Sequence, residues 1–202
     1  MNLKWYNLKD EVKYMHIKII ENYIPKNEQE KVDKVAMLTF AHKNSDALLR
    51  SNLMAHFTNS AIITNKDKNK VLFANHLIYK SWGWIGGHND GNPDFLDVVL
   101  HEANEETGIT KVKPLFNEPV ALDNIYVPNH IKNGVFVGDH IHMNLTYLLE
   151  ADETEEVITK IDENSGVRWF SIDEVFEYVT EPRMIPIYQK VINLLKCLVS
   201  KT

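Results

Sequence analysis

The stretch GWIGGHNDGNPDFLDVVLHEANEETGI, residues 83–109, decides the fold, because it sets a glycine-rich loop directly before a helix. Asn92 and Pro93 are predicted as the N-cap and the first helical residue, since proline lacks the N–H that a helix start leaves unpaired. Gly108 is predicted to end the helix in a left-handed conformation. The apolar residues at helical spacing, which predict the buried face, are Leu96, Val99, Leu100 and Ala103.

Three glutamates, Glu102, Glu105 and Glu106, lie at positions i, i+3 and i+4 of this helix, so their carboxylates are expected to converge within one turn. Like charges at this spacing repel each other, and the C-terminal turn of a helix favours cations. A hard divalent cation resolves the conflict, because Mg²⁺ takes oxygen ligands and often shares its site with substrate phosphates. Gly86 and Gly87 allow close backbone approach to the same space. A metal and phosphate site is the hypothesis, and a solvated helix face is the alternative.

Composition limits the classes of function. The 202 residues fit one domain with extensions. The net charge of the chain is −6, and the sequence contains no run of five basic residues. A nucleic-acid polymer is therefore not expected as a partner, because its phosphate backbone requires a concentrated basic surface. The N-terminus lacks a signal-peptide core, and no apolar run approaches the roughly 20 residues of a membrane span. Since Cys197 is the only cysteine, no internal disulfide forms, and we expect a soluble cytoplasmic protein without a membrane partner.

The first 55 residues show helical patterns. A capping signal at Asn27 and Glu30 and a stop at Pro25 predict two helices there. Their apolar stripes are interpreted as packing surfaces or as a homodimer contact. The stripes consist of Leu8, Val12, Met15, Ile19 and Tyr23 in the first helix and of Val32, Val35, Ala36, Thr39 and Phe40 in the second.

The rest of the chain alternates between strands and helices. The segments TNSAIITN and KVLFANH flank the turn KDKN within residues 58–76 and predict a β-hairpin. HIHMNLTYLL, residues 140–149, alternates polar and apolar side chains and predicts a strand with one polar face. Residues 166–179 predict a short strand followed by a helix, and residues 185–199 predict a closing helix. This mixture indicates an α/β or α+β layered domain with helical additions.

The opening stretch resembles the Nudix box. The positions in register are Gly87, Glu102, Ala103, Glu105, Glu106, Gly108 and Ile109. Two positions differ, since Pro93 replaces the first glutamate of the box and His101 replaces its arginine. The flanking strands extend the resemblance to most of residues 56–180. We therefore predict a helical N-terminal extension over residues 1–55 and a Nudix hydrolase domain over residues 56–202.

This resemblance implies a Nudix-like α/β/α sandwich with a mixed β-sheet. It also implies hydrolysis of a nucleoside diphosphate linked to another moiety, with Mg²⁺ or Mn²⁺ as the cofactor. Glu105 and Glu106 are then the principal metal ligands, and Glu102 is a third ligand or orients water. The carbonyl of Gly87 is a further ligand. The chemistry agrees, because a bound metal reduces the charge of pyrophosphate and lowers the pKa of water.

Four other residues are candidates for the site. Glu163 is predicted as a carboxylate outside the box that serves as a base or extra metal ligand, with a surface turn as the alternative. His101 is expected to orient a box glutamate, as arginine does in the family pattern. His140 and His142 are predicted to bind substrate on the polar strand face, with a metal pair and the lining of a polar cleft as alternatives.

Two rival functions come from the same resemblance. A catalytically inactive nucleotide-sensing module tends to lose box glutamates or gain a DNA-binding domain, whereas Glu102, Glu105 and Glu106 of the metal-bearing half are all present here and no basic helix-turn-helix follows. An isopentenyl-diphosphate isomerase uses an active-site cysteine, whereas Cys197 lies in the closing helix. A Nudix pyrophosphohydrolase is therefore our prediction. Its substrate stays open among ADP-ribose, a dinucleotide polyphosphate, a modified nucleoside triphosphate and a non-nucleotide pyrophosphate.

Overall fold

The structure of the chain, a computed structural model, describes residues 14–132 and 134–200. Within these ranges the helices are α1 (Met15–Asn22), α2 (Glu28–Lys43), α3 (Phe95–Thr107) and α4 (Ile185–Val199). The strands are β1 (Ala55–Thr64), β2 (Lys70–His76), β3 (Ser81–Gly83), β4 (Ile85–His88), β5 (Lys113–Pro114), β6 (Ala121–Val127), β7 (His130–Lys132), β8 (Val135–Val137), β9 (His140–Glu150) and β10 (Asn164–Ser171).

Strand β1 lies at the centre of a mixed sheet that has eight strands in the described part of the chain, in the order β10-β2-β1-β9-β5. β9 runs parallel to β1, whereas β2 and β4 run antiparallel to it. β3 pairs with β2 and β6 pairs with β9, while β7 and β8 form a separate hairpin. The predicted β1–β2 hairpin and the predicted strand at β9 are both confirmed.

Helices cover both faces of this sheet. On one face, Phe95 and Val99 of α3 pack with Phe57 of β1, and the rings of Phe57 and Phe95 lie 5.8 Å apart. On the other face, Tyr188 of α4 packs with Phe73 of β2 at a ring distance of 5.3 Å. Burying each such side chain stabilises the fold by about 1.5–3 kcal/mol. The predicted α/β/α sandwich with a mixed sheet is confirmed.

Helix α2 begins where the capping signal predicts. The side chain of Asn27 accepts a hydrogen bond from the backbone N–H of Glu30 at 2.9 Å. The predicted contributions of Leu8 and Val12 to the first helix lie outside the described residues. α1 and α2 pack on the same core as α3, through buried side chains such as Ile20. The boundary between extension and domain stays a prediction.

The predicted apolar stripe of α2 is a packing surface only in part, because Phe40 packs against the core while two valines of the stripe are exposed. Val32 and Val35 are 68% and 65% exposed, whereas Met37 is fully buried. Asp33 turns toward the sheet instead, because it accepts hydrogen bonds from both the backbone and the side-chain N–H groups of Asn124. These polar contacts fix the rotation of the helix and leave the two valines on its outer face.

Helix α3 begins two residues later than predicted. Asp94 is its N-cap, because the Asp94 carboxylate accepts a hydrogen bond from the backbone N–H of Asp97 at 3.1 Å. Asn92 instead accepts from the N–H of Asp94 and stabilises the turn before the helix, with Pro93 between them. Gly108 ends the helix with a φ of 72°, as predicted.

The buried face of α3 is also rotated from the predicted one. Leu96 and Leu100 are only partly buried, whereas Phe95 and Val99 are fully buried. The same rotation carries Glu106 inward, where it is 4% exposed. The last box glutamate therefore lies in the interior, which the helical spacing did not predict.

The helix predicted after β10 is wrong in extent. Only one 3₁₀ turn forms, Val175–Glu177. The backbone N–H of Thr180 donates to Ser81 Oγ at 2.9 Å, so the chain is tied to β3 and cannot continue as a helix. The closing helix α4 is confirmed. Among the described helices, none is long and apolar enough to cross a membrane.

Candidate active site

A cleft of about 360 Å³ is lined by residues from α3, β1, β4 and β9 and from the turn before β10. The predicted site residues in its lining are Gly87, Glu102, Glu105, Glu106, His142 and Glu163. Two predicted residues are not part of this lining. His101 is exposed on α3, and His140 is buried beside His142.

Two glycines let β4 approach both of its neighbours. A Cβ atom at Gly86 would lie 2.2 Å from the carbonyl oxygen of Asn59 on β1. A Cβ atom at Gly87 would lie 2.1 Å from Oε1 of Glu102 on α3. The backbone atoms that face Gly86 leave no room for a side chain, whereas at Gly87 the flexible end of Glu102 would have to move, so the two glycines allow the sheet and the box helix to meet.

Glu106 lies at the buried end of the cleft. Its Oε1 accepts the backbone N–H of Gly86 at 2.9 Å, and its Oε2 accepts the side-chain amide of Asn164 at 2.8 Å. Both donors are neutral, and within the described residues Glu106 forms no ion pair. Burial raises the pKa of Glu106 to about 7, even though the two hydrogen bonds lower it. This carboxylate is fixed in position without a cationic side chain beside it in the described part of the chain.

The other two box glutamates have different surroundings. Glu105 is exposed, with Oε1 2.9 Å from His101 Nε2 and Oε2 3.2 Å from Lys160 Nζ. The hydrogen bond from Lys160 lowers the pKa of Glu105. Glu102 is half-buried against Gly87, and burial raises its pKa. The three carboxylates thus share one cleft, but each side chain has its own immediate neighbours instead of converging on one point.

Glu163 lies across the cleft, immediately before Asn164. Its carboxylate is 3.4 Å from Lys160 Nζ and 3.9 Å from Lys132 Nζ. Its backbone carbonyl accepts a hydrogen bond from the N–H of Leu77 at 2.9 Å, so the turn is fixed to the end of β2. The position is compatible with the predicted role as a base, which stays a prediction.

Sequence analysis missed a cluster of histidines beside the carboxylates. One ligand nitrogen from each of His56, His88 and His142 lies within 4.8 Å of the others. The strands explain this, because His56 of β1 is the register partner of His142 on β9, and His88 of β4 is the partner of Thr58 on β1. Alternate residues of a strand share a face, so His56 and His88 meet on the same side of the sheet.

Burial keeps these histidines neutral. It lowers the pKa of His88 to about 3 and lowers the pKa of His142 well below its ordinary value. Burial lowers the pKa of His56 as well, although the backbone hydrogen bond of that ring acts in the other direction. Asn164 was missed too, because its contact with Glu106 joins positions 58 residues apart.

Comparison with known proteins identifies the family. A family model described as "NUDIX domain" matches residues 54–194, which is well over half of the chain. The chain belongs to the Nudix family. It is accordingly a hydrolase that acts on pyrophosphate bonds, as predicted.

The relatives agree with this assignment. The chain is 27% identical over 143 residues to a protein of Lactococcus lactis subsp. cremoris (strain MG1363) named "Probable DHNTP pyrophosphohydrolase". That alignment covers 70% of this chain and 81% of the relative. The Nudix match and the relative's name thus point to the same reaction class.

Solved structures share the fold. A Nudix-family hydrolase from Clostridium perfringens matches with a TM-score of 0.50 and 22% identity, over 69% of this chain and 97% of its own. A C. elegans Ap4A hydrolase in a binary complex matches with a TM-score of 0.52 and 15% identity, also over 69% and 97%. At these identities the similarity shows the Nudix architecture, while the substrate depends on the residues of the cleft.

Proposed function

We propose that this Nudix protein is an Mg²⁺-dependent hydrolase that cleaves the pyrophosphate bond of a nucleoside diphosphate linked to another moiety. The observation that carries the proposal is Glu106, a buried carboxylate fixed by two neutral donors and without a cation partner in the described part of the chain. An isolated buried charge is costly, so its retention beside Glu102 indicates that a cation belongs there.

The chemistry of the donors fits a hard divalent ion. Glu102, Glu105 and Glu106 offer carboxylate oxygens, and we assign the Gly87 carbonyl as a further oxygen ligand. Oxygen-only donor sets select Mg²⁺ and, as a second choice, Mn²⁺. When bound, such an ion reduces the negative charge of the pyrophosphate and lowers the pKa of a coordinated water.

The chain's own residues hold this donor set in place. The N–H of Gly86 and the amide of Asn164 fix both oxygens of Glu106. Lys160 and His101 contact the two oxygens of Glu105, which supports the proposed orienting role of His101. Restrained ligands favour catalysis, because Glu105 and Glu106 already have fixed partners before an ion binds.

Glu163 is our proposed general base or extra ligand. It lines the same cleft as the box glutamates, and Lys132 and Lys160 lie within 4 Å of its carboxylate. These ammonium groups can also contact a phosphate. A carboxylate placed near the scissile bond is able to accept a proton from the attacking water.

Residues at the opposite side of the cleft suit a nucleotide. Tyr126 and Arg183 both line it, with the Arg183 guanidinium 5.9 Å from the Tyr126 ring. An exposed aromatic ring next to a guanidinium can stack a base and contact a phosphate. We also keep His142, which lines the cleft, as a proposed substrate-binding residue, with the predicted partner His140 buried behind it and the two Nε2 atoms 3.0 Å apart.

The isomerase alternative lacks support from the cleft. Its cysteine would have to be Cys197, which is exposed on α4 and absent from the cleft lining. The cytoplasm stays the proposed site of action on the basis of the sequence. We also propose a homodimer, in which the exposed residues Val32 and Val35 of α2 contact a second copy of the chain.

A substrate panel tests the proposed function. ADP-ribose, Ap4A, DHNTP, a modified nucleoside triphosphate and a non-nucleotide pyrophosphate are incubated with the protein and Mg²⁺ in ¹⁸O-labelled water. Mass spectrometry should show one ¹⁸O atom in a phosphate product from at least one nucleoside diphosphate derivative. The reaction should stop when Mg²⁺ is chelated and resume when it is restored. Turnover that survives chelation, or cleavage of only the non-nucleotide pyrophosphate, would contradict the proposal.

A further inference from the structure

The histidine cluster contains a buried nitrogen that no group among the described residues satisfies. His56 Nδ1 lies 3.1 Å from the carbonyl oxygen of Asn52, and a carbonyl only accepts, so Nδ1 carries the proton. In the neutral ring, Nε2 then holds a lone pair. Within residues 14–132 and 134–200 this atom is buried without a hydrogen-bond partner, and the whole residue is 4% exposed. Buried polar atoms are rarely left unpaired, so this lone pair requires an explanation.

The neighbouring ring pair has a fixed pattern of protons. His140 Nδ1 lies 2.8 Å from the carbonyl of Gly138 and must donate, which leaves the lone pair of His140 on Nε2. His142 Nε2 lies 3.0 Å from that atom and therefore donates to it. The lone pair of the neutral His142 ring is then on Nδ1. His140 acts as a positioning residue for His142, and backbone carbonyls orient both His56 and His140.

This pattern is the one that metal-binding histidines show in proteins. A ligating imidazole usually donates its second N–H to a carbonyl or another acceptor, which fixes the ring and directs its lone pair to the ion. His56 meets this condition through Asn52, and His142 meets it through His140. Packing alone explains a stack of rings, but it does not explain a lone pair buried without a donor.

We propose that His56, His88 and His142 form a binding site for a divalent transition-metal ion of the zinc class, separate from the carboxylate site. Three imidazole nitrogens favour zinc and its neighbours over the hard ions that bind to oxygen. His88 and His142 line the cleft, so the ion has a route from solvent and a fourth position that faces the same cleft. The site does not depend on the proposed hydrolysis.

The distances allow the site to close around an ion. The three ligand nitrogens lie within 4.8 Å of one another, whereas nitrogens bound to a tetrahedral zinc lie roughly 3.3 Å apart, from Zn–N bonds of about 2.0–2.1 Å. Small rotations of His88 and His142, both only partly buried, bring the rings that close. His56 is held by the backbone and acts as the fixed ligand.

Cobalt provides a direct spectroscopic test. The full chain is stripped with a chelator, saturated with Mg²⁺ to fill the carboxylate site, and titrated with Co²⁺. We expect one equivalent to bind with the intense visible absorption of a four-coordinate, nitrogen-ligated ion. Zn²⁺ should displace it stoichiometrically. A weak spectrum typical of six oxygen ligands, or no saturable binding, would overturn the proposal.

Variants assign the ion to the histidines. His88→Gln and His142→Gln should each weaken Co²⁺ binding by at least about a hundredfold, since loss of an outer-shell partner alone costs about 10- to 100-fold. His140→Gln should have that smaller effect. His42→Gln, on the exposed face of α2, is the matched control and should bind Co²⁺ like the parent. Equal affinities in all four variants would refute the assignment.

Two further measurements distinguish the histidine site from the carboxylate site and do not require that the histidine variants fold. Glu106→Gln should retain the Co²⁺ spectrum, and loss of the spectrum in this variant alone would move the ion to the carboxylates. If the histidine variants do not fold, zinc X-ray absorption of the unaltered protein replaces them. That spectrum should show imidazole scattering and Zn–N distances of about 2.0–2.1 Å. A shell of oxygen atoms without imidazole scattering contradicts the site.

Discussion

The two ends of the cleft differ in chemistry although they are built from neighbouring residues of β4. Gly86 and Gly87 contact the carboxylates of α3, and the next residue, His88, contacts the rings on β1 and β9. The carboxylate end contains oxygen donors, two of whose pKa values burial raises. The histidine end contains nitrogen donors whose pKa values burial lowers.

The comparison supports the proposal that poorly compensated burial marks a binding site for either type of donor. At both ends burial disfavours the charged form of the side chain, so it favours the carboxylic acid at one end and the neutral imidazole at the other. A bound cation would reverse the tendency of the carboxyl groups, because it binds the carboxylate, whereas it would bind the neutral imidazoles in the form that burial already favours. Hard ions fit the first end and borderline ions fit the second. The predictions below test whether the two ends act independently.

The largest effect is expected at Glu163. If Glu163 supplies a base or an extra ligand, Glu163→Gln should lower kcat by about two to four orders of magnitude with little change in KM, measured on the best substrate of the panel. Co²⁺ binding at the histidines should not change. Asp162→Asn, at the exposed neighbouring position, is the control. A normal kcat in Glu163→Gln would return the residue to a surface turn.

Glu106→Gln should lower turnover by at least about a hundredfold, because the metal ligand loses its charge. The variant should remain folded. Burial raises the pKa of Glu106 to about 7, above its value in the unfolded chain, so ionisation destabilises the metal-free fold as pH rises through that range. Glutamine removes this cost, and the Tm of the metal-free variant at about pH 8 should therefore not fall below that of the parent. Near-normal turnover in the folded variant would reject the assignment, and Glu174→Gln, on an exposed turn, serves as the control.

The paired glycines separate catalytic from structural effects. Gly87→Ala places a methyl group against the flexible end of Glu102, so we expect a loss of turnover of about one order of magnitude in a protein of nearly parental stability. Gly86→Ala meets the backbone of Asn59 and should lower the free energy of unfolding by about 1–3 kcal/mol. Denaturant unfolding and turnover are measured on both variants. The reverse pattern would contradict the positions given to the two glycines.

The smallest effect is expected at His101. Arginine preserves a donor to Glu105 but cannot exchange protons near neutral pH, so His101→Arg should retain activity within about tenfold of the parent, or roughly 1.4 kcal/mol of barrier. The pH profile of kcat should keep its shape. A loss of three orders of magnitude, about 4 kcal/mol, with intact folding and metal affinity would make His101 catalytic.

The predicted N-cap of α3 and the predicted buried face of α2 differ from the structure because the local sequence is compatible with more than one arrangement. Asn92 and Asp94 are both good capping residues, and the helix uses Asp94 because its carboxylate reaches the N–H of Asp97. In α2, the helical period allows several apolar faces, and the contact of Asp33 with Asn124 selects one that leaves Val32 exposed. The first choice involves residues only three positions apart, whereas the second depends on a contact between positions 91 residues apart.

The sequence by itself determined the elements that depend on short-range spacing: the box helix and its end at Gly108, the hairpin, the alternating strand and the closing helix. These follow from hydrogen bonds and side-chain periodicities that span only a few residues. Tertiary structure alone decided which side chains meet. It joined Asn164 to Glu106 and brought His56 and His88 to His142, because strand pairing and register connect positions that are far apart in the chain.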